Sequence, residues 1–319
     1  MPDAHVPLYF VANWGTRNLG SAKMRAVDLA AIVAPHLAAP PFKNRLRASV
    51  ITMPGRKSPV LQRLWARMRP KGGIYFLTKP SCQIDPEAAE MLRARSLGLC
   101  FDYVDHDLGL IASELADVHV CASYAQADRI HAMQAAGTFA KGPTQVILHN
   151  ADAGLYGLRP ETRAAFSAVY CGNMANTRIP EALSDKVQVL DGSKPHRMKR
   201  IIAELPGFAL HYCMREGGAD RATVVKPFTK GITAAVCHAN LITSRDVPDA
   251  VRLLGDDYPF LAEGTGEGQI IDAFRHAEDA FGGPLWRQGL DAMGGLRAGV
   301  SGPALAAQVR QMAAILGVD

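Results

Sequence analysis

The sequence predicts an α/β protein made of two successive doubly wound domains, each a parallel sheet with helices on both faces. Three observations carry that expectation. A chain of 319 residues is long enough for two ordinary domains, each burying its own core. Short apolar runs alternate along it with helical patterns, the βαβα order that produces parallel sheets. With 48% hydrophobic and 20% charged residues the composition is that of a globular chain, which excludes intrinsic disorder, and no apolar run approaches a bilayer span.

Residues 8–14 (LYFVANW) read as a strand, residues 15–20 as a glycine-bearing loop and residues 21–33 as a helix. Strands follow at 48–53, 74–78 and 99–104, with helices at 59–68 and 86–97 between them. In such sheets ligands gather at the carboxyl ends of the strands. Gly15, Arg17, Asn18, Gly20 and Ser21 are therefore candidates for a substrate-facing loop; a turn chosen for its glycines explains them equally well. Residues 56–71 (RKSPVLQRLWARMRPK) put Leu61, Leu64, Trp65 and Met68 on one helical face, with Arg63, Arg67 and Arg69 around it. The preferred expectation is a surface helix whose apolar side packs on its own sheet; a helix lying on an anionic membrane is the minority reading.

The strand at 99–104 leads into Asp102, Asp105, His106 and Asp107. A general base placed there would accept a proton from a substrate hydroxyl, while capping of the next helix accounts for the acids as readily. A strand at 118–122, Ser123 as a helix N-cap, a helix containing Arg129 and, at 146–156 (VILHNADAGLY), a buried strand running into Asn150 and Asp152 and then turning at Gly154 complete the first half.

The net charge of +5 conceals a segregation. Residues 1–84 hold thirteen Lys/Arg against only Asp3 and Asp28, a net of +11, and the remainder is net −6. Such a field draws anions toward the first domain. No recognised nucleic-acid module accompanies it, so nucleic acid is not expected as a partner. The six cysteines stand singly in mostly apolar surroundings, as reduced core thiols of a cytoplasmic protein would. No secretory signal is expected, and no His or Cys spacing suggests a metal site.

In the second half, residues 168–171 (AVYC) form a strand leading to Gly172, Asn173 and Asn176. Further strands are expected at 187–190, 208–214 and 258–263, with a helix at 196–204; His211, inside an apolar strand, reads as a core histidine. Residues 224–245 (VVKPFTKGITAAVCHANLITSR) are the most ligand-like stretch. A loop with Lys226, Thr229, Lys230 and Thr233 opens a small-residue helix that runs into a strand at 241–243. The first turn of that helix would present unpaired N–H groups and ammonium groups to an anion, and a phosphate is the natural guest. The GTGEG stretch at 264–268 departs from dinucleotide spacing and reads as a turn. The tail, 284–316, is helical with a break around 299–303.

The order of these signals resembles the GT-B-fold glycosyltransferases over nearly the whole chain. The D-x-x-D after a strand (Asp102, Asp105), Ala116–Asp117, Ser123 and the apolar strand closing in HNAD resemble that family's first-domain end and interdomain crossover. The resemblance implies two Rossmann-like domains facing a cleft: an acceptor-side domain at 1–152, a nucleotide-sugar donor domain at 153–300, and a helix at 301–319 returning to the first. It implies transfer of a sugar from a nucleotide-sugar, which is a substrate and not a cofactor, to a hydroxyl acceptor without an essential metal. Gly172, Asn173, Asn176 and Thr233 would contact the donor, its diphosphate would lie beside Thr229 and Lys230, and Arg215 or Lys226 would offset charge on the leaving nucleotide. Asp105 or His106 would activate the acceptor. The basic first domain points to an anionic glycan or lipid-linked acceptor, and to a cytoplasmic protein with peripheral contact at the inner face of the membrane. Many retaining members carry paired glutamates around this loop, whereas here the comparable region offers Lys226 and Thr233. A divergent active enzyme is the preferred reading. A nucleotide-sugar epimerase or hydrolase of the same fold, and a non-catalytic nucleotide-sugar-binding partner, are the alternatives.

Overall fold

The computed structural model describes residues 5–37, 46–159, 163–215 and 224–318. The chain divides into two compact units: Met1–Asn150 with Asp220–Pro227 and Gly302–Asp319, and Ala151–Ala219 with Phe228–Ser301.

The first unit opens with β1 (Val6–Asn13), α1 (Gly20–Lys23), a π-helical turn (Met24–Asp28) and α2 (Leu29–Leu37). It continues through β2 (Leu46–Met53), α3 (Pro59–Arg67), β3 (Ile74–Leu77), α4 (Pro86–Arg93), β4 (Gly98–Asp102), β5 (Val118–Cys121), α5 (Tyr124–Ala135) and β6 (Thr144–Val146). All neighbouring strands are parallel, in the order β2-β1-β3-β4-β5-β6. The central strands β3, β4 and β5 are buried at every residue, which is why they read as mainly apolar, with Asp102 and His119 as buried polar exceptions; the edge strand β2 mixes exposed and buried positions. As expected, Ser123 caps α5, its hydroxyl accepting from the Gln126 N–H at 3.1 Å.

The second unit contains β7 (Ala168–Gly172), β8 (Val187–Asp191), α6 (Met198–Glu204), β9 (Leu210–Tyr212), α7 (Thr229–Val236), β10 (Asn240–Ser244), α8 (Ala250–Leu254), β11 (Leu261–Ala262), α9 (Glu267–Asp279) and α10 (Pro284–Gly299). Its sheet is likewise parallel, ordered β11-β10-β9-β7-β8. A last helix, α11 (Gly302–Ile315), is part of the first unit. It packs on α2 so closely that a Cβ on Gly302 would come within 2.4 Å of the His36 ring. Its Gln308 side chain accepts from the Leu148 N–H at 2.8 Å, and Leu316 fills the space beside Gly98. The tail thus returns to the first domain, as the resemblance implies.

Three expectations need correction. The apolar run at 146–156 is strand only to Val146; beyond it the chain stays extended, with Ile147 and His149 still donating to Cys121 and Ala122, and Asp152 then caps a 3₁₀ turn at Ala153–Leu155. The run at 258–263 is strand only at Leu261–Ala262, because Tyr258 reaches β10 through its side chain: its hydroxyl accepts from Leu241 N–H and donates to Leu241 C=O, each at 2.9 Å. The third concerns α3. Trp65 and Ala66 pack inward, but Leu61, Leu64 and Met68, expected on the sheet, face solvent.

Candidate functional site

In both sheets the strand order reverses beside the first strand, between β1 and β3 in one unit and between β7 and β9 in the other. Crevices at the carboxyl ends of such strands are where doubly wound folds take ligands.

In the second unit this point gathers several of the residues singled out by sequence. β7 ends at Gly172, whose φ of +151° lies in the region that favours glycine, and a Cβ there would meet Lys230 Nζ at 2.8 Å. Lys230, in the first turn of α7, reaches across to donate to the Cys171 carbonyl, and its ammonium lies 4.2 Å from the centre of the Tyr170 ring. The Tyr170 hydroxyl in turn donates to the Asn173 carbonyl at 2.7 Å, and the Asn173 side chain accepts from Ala175 N–H, fixing the loop that follows the strand. Burial holds the Lys230 pKa below the ordinary lysine value, and the Arg215 guanidinium pushes it the same way. No side chain caps α7. The helix start, an amine under desolvation and the glycine turn therefore converge, a combination suited to an anion that would restore the charge balance of Lys230.

Thr229 opens α7, and Thr233 turns its hydroxyl back to the Thr229 carbonyl at 2.9 Å, a helical self-contact. Asn176 ends an exposed 3₁₀ turn. Lys226 is exposed and lies in the segment counted with the first unit. Tyr170 was not singled out by sequence; an aromatic two residues before the strand-ending glycine was the available signal.

In the first unit, Gly15, Arg17 and Asn18 lie in an exposed turn after β1, with exposed Gly20 opening α1 and Ser21 half-buried in it. The Gly15 N–H donates to Asn13 Oδ1 at 3.1 Å, and Gly20 has φ +45°. Asp105 and His106 follow β4. Asp105 sits in a left-handed conformation, φ 51°, and its carbonyl accepts from Lys79 Nζ at 2.7 Å. His106 N–H closes the turn onto the Tyr103 carbonyl at 2.9 Å; its ring is buried, and its Nε2 has no partner among the described residues. Burial first, and the nearby Lys79 charge second, push the His106 pKa down to about 4, so the ring is a neutral acceptor at physiological pH.

Asp102 is a different case from its neighbours. It is wholly buried against Arg25, Nε to carboxylate 2.7 Å, both side chains at zero exposure. Arg25 also donates to the Leu148 carbonyl at 2.9 Å, tying together the π turn, β4 and the chain after β6. Burial alone would favour the neutral acid and raises the Asp102 pKa, while Arg25 opposes it. Asp102 is thus a structural partner and not part of a substrate-facing acid cluster, and Asp107 is spent capping a 3₁₀ turn. Arg25 was legible only as one of two cations, with Lys23, in the helical pattern at 21–33.

His149 is also buried, pushed down to about 4 by burial. His211 lies buried in β9, as expected of a core residue, and is pushed down to about 3. Each of these depressed histidines is neutral in the fold but takes a proton from about pH 6.5 downward when unfolded. The protein is therefore expected to lose stability as pH falls from 6.5 toward 4, by up to about 3 kcal/mol per histidine. Thermal melting across that range checks it: His149→Gln should flatten the slope, and an unaltered slope would contradict the assignment.

Scans against protein-family models find no match, and no curated protein matches the sequence. Comparison of structures does. A glycosyltransferase from Rickettsia africae ESF-5 superposes with a TM-score of 0.61 at 9% identity, covering 99% of each chain. Anabaena HepE, solved in complex with UDP-glucose, gives 0.58 at 14% identity, covering 97% of this chain and 100% of that one. Sucrose-phosphate synthase from Thermosynechococcus elongatus gives 0.56 at 11%, covering 98% and 99%. The chain therefore has the GT-B-type fold, with two Rossmann-like α/β units.

Proposed function

We propose that the protein is a glycosyltransferase that moves a sugar from a nucleotide-sugar to a hydroxyl acceptor. The observation that carries the reading is the convergence of Gly172, Lys230 and the uncapped start of α7 at the switch point of the second sheet. The fold shared with glycosyltransferases, one of them solved with UDP-glucose, supports a nucleotide-sugar as the anion in question. In this reading the second unit holds the donor. Lys230, the amides opening α7 and Arg215 stabilise the charge that grows on the departing nucleotide diphosphate, which is the work a metal would otherwise do. The first unit takes the acceptor at the turn carrying Gly15 to Ser21. An acceptor hydroxyl oxygen bonds to the anomeric carbon, the bond to the diphosphate oxygen breaks, and the hydroxyl proton passes to Asp105 or to neutral His106. The net positive charge of the first 84 residues favours an anionic glycan or lipid-linked acceptor.

Asp105→Asn is a clean probe, because asparagine tolerates the left-handed conformation as aspartate does. The variant should bind donor as the wild type does and transfer the sugar ~10²–10⁴-fold more slowly. Nucleotide release measured with and without acceptor checks it. Full activity would remove Asp105 from the mechanism. Release without any acceptor would favour a hydrolase.

A further inference from the structure

We infer that α3 and the turn after β1 form a surface that docks on an anionic lipid bilayer. Four large apolar side chains on this short helix and its C-cap are turned to solvent: Val60 72%, Leu61 47%, Leu64 53% and Met68 61% exposed. At about 100° per residue they fall within one arc of roughly 100°, while the buried Gln62, Trp65 and Ala66 occupy the opposite side. The helix therefore has two apolar faces, and only one is used by the fold. Among soluble surfaces, scattered exposed apolar residues are ordinary, but a contiguous set on one helix marks a contact.

A second segment extends the same edge. Asn13 pairs with Met53 in the β1–β2 register, Trp14 N–H donates to the Met53 carbonyl at 3.1 Å, and Asn13 Nδ2 donates to the Pro54 carbonyl at 3.3 Å. The turn after β1 and the segment leading into α3 are thus adjacent, and that turn carries Trp14 and Leu19, 59% and 46% exposed. A tryptophan at the rim of an apolar patch suits the headgroup level of a membrane.

Charge selects the occupant. The sequence has no acid from residue 29 to residue 84, and Arg17, Arg56, Lys57, Arg67 and Lys71 around the patch are exposed. The next carboxylates along the chain, Asp85 and Glu87, are both engaged by Arg63. Long basic side chains beside an apolar arc can lay their stems on the hydrocarbon boundary and their charges among anionic headgroups. The inference does not depend on the glycosyltransferase reading, since vesicle binding is measured without donor or acceptor; if both hold, the acceptor turn lies at the bilayer surface, where a lipid-linked hydroxyl would be met.

The test is co-sedimentation with vesicles of phosphatidylcholine alone and of phosphatidylcholine with phosphatidylglycerol. The wild type should bind the anionic vesicles and lose that binding in high salt. Leu61→Ser with Leu64→Ser, and separately Lys57→Ala with Arg67→Ala, should each reduce partitioning by ~10-fold or more with unchanged melting temperature, as expected for exposed positions. Failure to bind anionic vesicles, or equal binding by the variants, would overturn the inference. So would a wild-type dimer that Leu61→Ser with Leu64→Ser converts to monomer, which would assign the face to a second copy of the chain.

Discussion

Replacing Lys230 with alanine is expected to weaken nucleotide-sugar binding by ~10–100-fold while leaving the second unit folded, the range set by one hydrogen bond to a charged group. Two features make this lysine the sensitive position. Its ammonium is held at the end of β7 by the Cys171 carbonyl and the Tyr170 ring, so it is prepositioned and gives up little side-chain entropy on binding. Burial already keeps its pKa low, so an arriving diphosphate pairs with a poorly solvated cation, where the attraction is stronger than at an exposed site. The fold loses one lysine–carbonyl hydrogen bond, a cost of about 1.5–3 kcal/mol. Lys226→Ala supplies the contrast. That side chain is exposed, and its removal should change affinity by no more than about threefold. Isothermal titration with the same nucleotide-sugar separates the two, and unchanged affinity in Lys230→Ala would sink the phosphate assignment.

Arg25→Ala should be the most damaging single change in the first unit, costing about 3–5 kcal/mol. The side chain is wholly buried, and without it Asp102 is a carboxylate in a dry environment that still accepts from the Val104 N–H. Such a group either carries an uncompensated charge or takes a proton, and both alternatives destabilise the fold. The Leu148 carbonyl loses its donor as well. For a unit of this size the loss corresponds to a fall in melting temperature of roughly 6–20 °C. Combining Arg25→Met with Asp102→Leu should recover much of it, because a well-packed apolar pair can replace a buried ion pair. If Arg25→Ala melts within 2–3 °C of the wild type, about 1 kcal/mol, the pair is not the tie between the π turn and β4 that its geometry suggests.

Much of this fold was legible because its strands are buried on both faces. Runs such as IYFL at β3 and LCF within β4 have no polar alternation to confuse them with edge strands, and a helix such as α5 carries a clear start at Ser123. What misled the reading was local pattern standing in for tertiary context. The face of α3 bearing Leu61 and Leu64 has the period of a core helix, yet the fold satisfies that helix through Trp65 and Ala66 alone. Tyr258 looked like part of a strand because its apolar ring suits one, but its hydroxyl serves β10 from outside the ladder. Among the site residues, Lys230 and Gly172 announced themselves by type and position. The acid at 102 did so falsely, since only the fold reveals that Arg25, 77 positions earlier in the chain, has claimed it.

The central claim is that the end of the second sheet around Lys230 binds a nucleotide-sugar. A thermal-shift panel of nucleotide-sugars and free nucleotides on the whole chain tests it most directly, since a ligand of the folded state raises the melting temperature by mass action. The account predicts that at least one nucleotide-sugar stabilises the wild type and that Lys230→Ala clearly reduces the shift at the same concentration. No stabilisation by any member of the panel, or an equal shift in the variant, would contradict it.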